Sequence, residues 1–322
     1  PTDTPSSSGD ATPSPTVFQA ATLTPTVDRG ATATVQALEA RLSGIQATQT
    51  AIAIALVPTH SQVFVFGGCA VQGSTEAQID EAYNQCYEFE PESEPYPGKF
   101  CARGTLKDEW PQHKVCLDAF YIDQYEVTNG QYEACVRYGP CSPPRLTGSH
   151  SQDSYFMDDR FADYPVINVS WYDAEDYCEW VGMRLPTEAE WERAARGDNG
   201  ARWPWGDLFV KRMCNTRPPE TRANAPELDT RPAGRYLDCK SPDGAMDMIG
   251  NVWEWVSDWY DEEYYSAQVT NNPPGPWSGD YKVARGGSWN TNAGLARTTL
   301  RTGINPEGRF MDFGFRCARS AD

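Results

Sequence analysis

The 322-residue chain carries ten cysteines, and no two of them form a CxxC pair. An even number at irregular spacing reads as a disulfide framework, whereas zinc sites repeat closely spaced Cys or His pairs. The three histidines, His60, His113 and His150, share no ligand spacing and read as ordinary loop or surface residues. Disulfides persist in oxidising compartments, so the chain is expected to be extracellular or on a cell surface. A chain stapled in this way can fold with long loops and little regular structure. Eleven tryptophans and sixteen tyrosines supply the large side chains that pin such a core.

A formal charge of −18 excludes nucleic acid as an expected partner, because phosphate binding needs a basic face. The longest apolar run, residues 51–57, is far below the roughly 18 to 20 residues that cross a bilayer. No membrane span and no signal peptide are read, and Pro1 reads as the processed start of an exported chain.

Composition divides the chain into three. Residues 1–27 are rich in Pro, Thr, Ser and Ala and read as an extended tail, with hydroxyls beside prolines suited to O-glycans. Residues 28–57 read as one helix with Val35, Leu38, Leu42, Ile45, Ile52 and Leu56 on an a/d heptad pattern, as in a coiled coil. Gln49 breaks the stripe, and Gly44, Thr48 and Thr50 each weaken the helix by about 0.5 to 1 kcal/mol. A lone helix with so thin a stripe is marginal in water. It either packs on its own domain or self-associates between copies.

Residues 61–322 hold the folded domain, with QVFVF from Gln62 as a strand and VCLDAFYIDQY from Val115 as a second strand pair. A short helix starts at Ser74 or Thr75, and EFEPESEPYPG reads as an acidic insertion. Three more helices open with capping boxes: Thr128 with Gln131, Ser170 with Asp173, and Thr187 with Glu190. Gly139, Gly182 and Gly197 end them. A mixed α+β domain is the reading.

Six landmarks occur in order: FYIDQYEVTNGQY, YPVINVSWYDAEDYCEWVGMRLPTEAEWERAARG, WPWGD, GNVWEWVSDWY, ARGGSW and DFGFRC. Over roughly residues 62–319 the chain thereby resembles the formylglycine-generating enzyme, or sulfatase-modifying factor, family. The resemblance implies that family's variant of the C-type lectin fold. Enzymes of the family bind copper(I) through two cysteines just after the GGSW-like turn. Here those positions are Thr291 and Ala296. Neither can serve as a thiolate for copper(I), so no catalytic residue is expected.

The resemblance also implies a disulfide from Cys178 to Cys317. Cys135 and Cys141 flank a turn, and Cys214 and Cys239 bracket a Pro-rich excursion. The remaining four allow three pairings, of which Cys69 with Cys116 and Cys86 with Cys101 is preferred. In the enzymes resembled, calcium sits at the segment matching DMIGNVWEW. Carried across, its ligands are Asp247, the Gly250 and Val252 carbonyls, and Glu254, an oxygen set that suits calcium. The competing reading is that Asp247 caps a turn while Glu254 salt-bridges Arg316 or Arg285. A second family site falls at Asn215 and Thr216, with its later ligands unaligned. The tryptophans of WEW and Trp289 read as core. Arg297, Arg301 and Arg309, near the family's cleft, either meet an acidic ligand or salt-bridge carboxylates.

The function expected is a non-catalytic extracellular or cell-surface subunit that self-assembles through residues 1–57, as a filament if the contact repeats head to tail. The alternatives are a lectin-like module binding a glycan or other surface ligand, and a formylglycine-generating oxidase.

Overall fold

The computed structural model describes residues 41, 43–44, 60–89, 101, 103–219 and 221–321. The 1–27 tail, nearly all of the 28–57 helix and most of the acidic insertion lie outside them. Arg41, Ser43 and Gly44 are helical and exposed.

Among the described residues, nine short strands form three small sheets. β1 (Gln62–Val65), β4 (Phe120–Asp123) and β9 (Ala318–Ser320) make an antiparallel sheet with β4 in the middle. β2 (Gly68–Gln72) pairs with β3 (His113–Leu117), placing Cys69 opposite Cys116. The third sheet runs β7 (Arg301–Ile304), β6 (Lys282–Arg285), β5 (Trp253–Trp259), β8 (Phe313–Phe315). Only β5 and β8 pair in parallel, with Trp253 opposite Phe313 and Trp255 opposite Phe315. The segment Val115–Tyr125, expected as one strand pair, therefore gives two strands that belong to different sheets. The short turn between β3 and β4 does not close a hairpin, because each strand takes its partners from elsewhere in the chain.

Among the described residues from 60 onward, four α-helices pack around the sheets. α1 (Glu76–Phe89) opens on Thr75, whose hydroxyl accepts from Gln78 N while Gln78 Oε1 accepts from Thr75 N. α2 (Asn129–Tyr138), α3 (Trp171–Trp180) and α4 (Glu188–Arg196) each start on a complete capping box, at Thr128, Ser170 and Thr187. Such a cap satisfies backbone N–H groups that the first turn leaves free, typically worth about 1 kcal/mol. α4 ends at Gly197, whose φ of 68° favours glycine. Gly139 closes α2 for a different reason: its φ is −120°, but a Cβ would lie 2.7 Å from Trp180 Nε1.

The two largest of five apolar clusters among the described residues lie between these elements. One joins α2, α3, β5 and β8 through Tyr132, Tyr177, Trp255 and Phe315. The other sets Trp191 and the alanines of α4 against Phe120, Ile122, Met248 and Val283. Fully burying a side chain of this kind contributes roughly 1.5–3 kcal/mol. Five disulfides add covalent closure: Cys69–Cys116, Cys86–Cys101, Cys135–Cys141, Cys178–Cys317 and Cys214–Cys239. All ten cysteines are used and none is free. No helix among the described residues is long and apolar enough to cross a membrane.

Candidate functional site

The loop after β6 builds the first candidate site. Gly286 and Gly287 turn the chain with φ of 88° and 78°. A Cβ on Gly286 would lie 2.9 Å from the Met248 carbonyl oxygen and 3.0 Å from the Trp191 ring, so only glycine passes there. Ser288 and Thr291 then lock a tight turn: Ser288 N donates to Thr291 Oγ1 at 2.8 Å and Thr291 N to the Ser288 carbonyl at 3.0 Å. The Ser288 hydroxyl donates to Asp312 Oδ2 at 2.8 Å. Burial pushes the Asp312 carboxyl above its ordinary range.

Ser288, Thr291 and Asp312, with Trp253, Asn290 and Asn292, line a cleft of about 300 Å³. Its lining is rich in amides and hydroxyls, groups that both donate and accept. Asn290 and Asn224 tie the rim together by two hydrogen bonds of 2.8 and 2.9 Å. Trp253, read from the sequence as core, is only partly buried and lines the cleft; Trp255 and Trp289 are fully buried. Trp253 and Trp255 are two apart and share a face of β5; Trp253 is the first residue of the strand, at the rim of the cleft, whereas Trp255 lies further into the sheet between Ala284 and Phe315.

Thr291, at the first copper-ligand position, lines this cleft with its hydroxyl committed to the turn. Ala296, at the second, is fully buried, and its carbonyl accepts from Trp203 Nε1 at 3.1 Å. Neither side chain offers a thiolate.

The second locus surrounds Arg316. Glu254 accepts from Arg316 through both oxygens, at 2.6 Å from Nε and 2.6 Å from Nη2, and from Trp191 Nε1 at 2.7 Å. Asp247, at φ 55°, accepts from Gly234 N at 2.6 Å. Glu126 accepts from Asn251 Nδ2 at 2.6 Å. All three carboxylates are buried. Burial first, and then Asp247 and Glu254, push Glu126 well above its usual range. Burial also pushes Asp247 up to about 6. Three carboxylates facing one guanidinium carry a surplus of two negative charges when ionised. That surplus equals a divalent cation's charge in magnitude and is opposite to it in sign, although Glu254 is largely taken by Arg316. Among the described residues no group of three or more His, Cys, Asp or Glu stands in a metal-holding arrangement.

Asn215 adjoins this locus. Its Nδ2 donates to Asn251 Oδ1 at 2.9 Å and to the Asp229 carbonyl at 3.0 Å, while its own carbonyl accepts from Asn251 N. Thr216 follows in a turn, its N bonded to the Cys214 carbonyl. Gly250 packs so closely that a Cβ would lie 2.5 Å from the Asn215 carbonyl oxygen. The two loci named from the sequence therefore form one hydrogen-bonded patch.

The three arginines near the cleft are held by carboxylates. Arg297 reaches Glu109 with two bonds of 2.7 and 3.0 Å, and Arg301 reaches Glu188 at 2.7 and 2.9 Å. Arg309 donates to Asp173. Sequence reasoning missed a third arrangement: His60, in which Nδ1 lies 3.0 Å from Asp123 Oδ2 and Nε2 lies 2.9 Å from the Tyr177 hydroxyl. The partners are 63 and 117 residues away, so no local pattern signals them.

Residues 56–321 match the model of the sulfatase-modifying factor enzyme 1-like domain. The chain is 38% identical over 242 residues to the serine/threonine-protein kinase pkn1 of Chlamydia pneumoniae, covering 69% of this chain and 37% of that protein. It thus spans well under half the length of that relative. It is 34% identical over 260 residues to the formylglycine-generating enzyme of Streptomyces coelicolor, covering 66% of this chain and 82% of that enzyme. Among solved structures, PvdO from Pseudomonas aeruginosa is similar with a TM-score of 0.59 at 23% identity, covering 81% of this chain and 94% of that one. On the matched domain and these identities, the chain belongs to the sulfatase-modifying factor family and has its variant of the C-type lectin fold.

Proposed function

We propose that this chain is a non-catalytic, extracellular or cell-surface member of its family, and that it assembles and binds rather than oxidises. The observation that carries the reading is the pair Thr291 and Ala296, one tied into a turn and the other buried. Copper(I) is held by soft thiolate donors, and all ten cysteines here are closed in disulfides. The test is to load the purified chain with copper and incubate it with a sulfatase-type cysteine peptide. Mass spectrometry is expected to find no formylglycine above a no-enzyme control; formylglycine above that control overturns the reading.

Assembly is assigned to residues 1–57, supported by the heptad stripe from Val35 to Leu56, which a single thin helix cannot bury. A second reading, a lectin-like module, is favoured by the cleft at Ser288, Asn292, Asp312 and Trp253. Its amides and hydroxyls beside an aromatic face suit a sugar or a peptide backbone. Calcium is proposed at Asp247 and Glu254 with the Gly250 and Val252 carbonyls, where it would offset the surplus negative charge around Arg316. Asn215 and Thr216 belong to the same patch and are proposed as its outer support.

A further inference from the structure

A separate cleft of about 290 Å³ opens beside β4 and the start of α2, lined by His60, Asp123, Tyr125, Glu126, Asp163 and Pro232 among others. Three of these are carboxylates, and two of the three are buried almost completely: Asp123 is 2% exposed and Glu126 1%. Asp123 Oδ2 accepts from Cys317 N at 3.1 Å and meets His60 Nδ1 at 3.0 Å. Its other oxygen, Oδ1, is buried and finds no donor among the described residues. A buried carboxylate oxygen left without a donor is costly, so its presence beside a cavity marks a place for a ligand's donor.

Among the described residues that line the cleft, His60 alone can carry positive charge, and both its ring nitrogens are occupied, by Asp123 and by the Tyr177 hydroxyl. Residues 45–59, which lead into His60, contain neither Lys nor Arg. Ser61, Thr128 and Gln131 add neutral hydroxyl and amide groups, so the lining carries three carboxyl groups against one imidazole. A compact ammonium head supplies three donors and one charge. At the mouth, Tyr125 is 36% exposed and stands beside Pro232. Its ring is packed against Gly234, where any Cβ would overlap it. An aromatic face next to a proline gives an aliphatic stem something to lie on and attracts the cation itself.

We propose that this cleft binds a primary ammonium on an aliphatic stem, either a lysine side chain or a free alkyl diamine. Asp123 and Glu126 receive the head at the floor, Asp163 steers it at the rim, and Tyr125 holds the stem.

The experiment is calorimetry and thermal shift on the full chain at low salt. The probes are cadaverine, Nα-acetyl-lysine amide, neutral 1-pentanol and calcium chloride. At least one ammonium probe is expected to bind and raise the melting temperature, with no response to pentanol. Asp163→Asn, at the exposed rim, is expected to weaken binding about two- to fivefold. Glu126→Gln should weaken it further, and Tyr125→Ala should weaken it without altering its salt dependence. Tighter binding of the lysine amide assigns the cleft to a peptide side chain, and tighter binding of cadaverine assigns it to a free diamine. Should Glu126→Gln fail to fold, the surface substitution Asp163→Asn still decides. Binding of neither ammonium, a response to calcium alone, or unchanged affinity in Asp163→Asn overturns the proposal.

Discussion

Arg316 grips Glu254 with two parallel hydrogen bonds of 2.6 Å, both groups fully buried, and so joins the start of β5 to the end of β8. The same guanidinium also donates to the carbonyls of Asp123, Gln124 and Met246. Removing one partner of such a pair strands the other charge, at about 3–5 kcal/mol. Arg316→Met is therefore expected to destabilise the domain by that amount, measured by denaturant midpoint. The loss should exceed that of Arg309→Met, whose pair with Asp173 is partly exposed.

Stability should also depend on pH through carboxyls that burial raises. Burial pushes Asp108 and Asp258 each up to about 7 from an ordinary 3.8. Between about pH 4 and 7 the folded chain then holds protons that the unfolded chain has lost. By linkage, stability falls as pH rises through that window and levels off above it. A carboxyl displaced that far costs about 4 kcal/mol once ionised. The chain is expected to melt higher at pH 5 than at pH 8. Asp258→Asn, which keeps an acceptor for Glu188 N, should reduce the difference.

Calcium is expected to stabilise the folded chain by mass action, since the unfolded chain has no assembled site. A chelator should lower the melting temperature, and Asp247→Ala should abolish the response. An unchanged melting curve with chelator would leave Asp247 as a turn residue only.

If residues 1–57 assemble copies, a charge in the stripe should break the contact. Light scattering is expected to give a larger species for the full chain and a monomer for Leu42→Glu, because an unpaired carboxylate is costly to bury. A chain starting at Ser61 should also be monomeric. The same monomeric size for all three would sink the assembly reading.

Local signals in the sequence carried well. The three capping boxes at Thr128, Ser170 and Thr187 all form, because each depends on atoms three residues apart. The landmarks led to the family, and the GGSW turn led to the cleft. Strand partnership did not carry: β3 and β4 are neighbours in sequence, yet β4 pairs with β1 and β9. Nor did the sequence reveal that Trp253 faces the cleft, or that His60 bridges Asp123 and Tyr177. Those facts depend on how far along a strand its cover extends and on contacts between distant segments, which no short pattern encodes.

Residues 316–320 supply an ion pair to Glu254, a disulfide to Cys178 and a strand to β4. The Cys178–Cys317 bridge spans a sequence separation of 139, so no shorter piece of the domain contains it. The sheet of β1, β4 and β9 and the Cys178–Cys317 bridge therefore stay incomplete in a growing chain until residues 317–320 have emerged. A protease that clipped the chain after Arg309 would leave the segment beyond the cut tethered by the Cys178–Cys317 bridge, so releasing these anchors takes reduction as well as proteolysis.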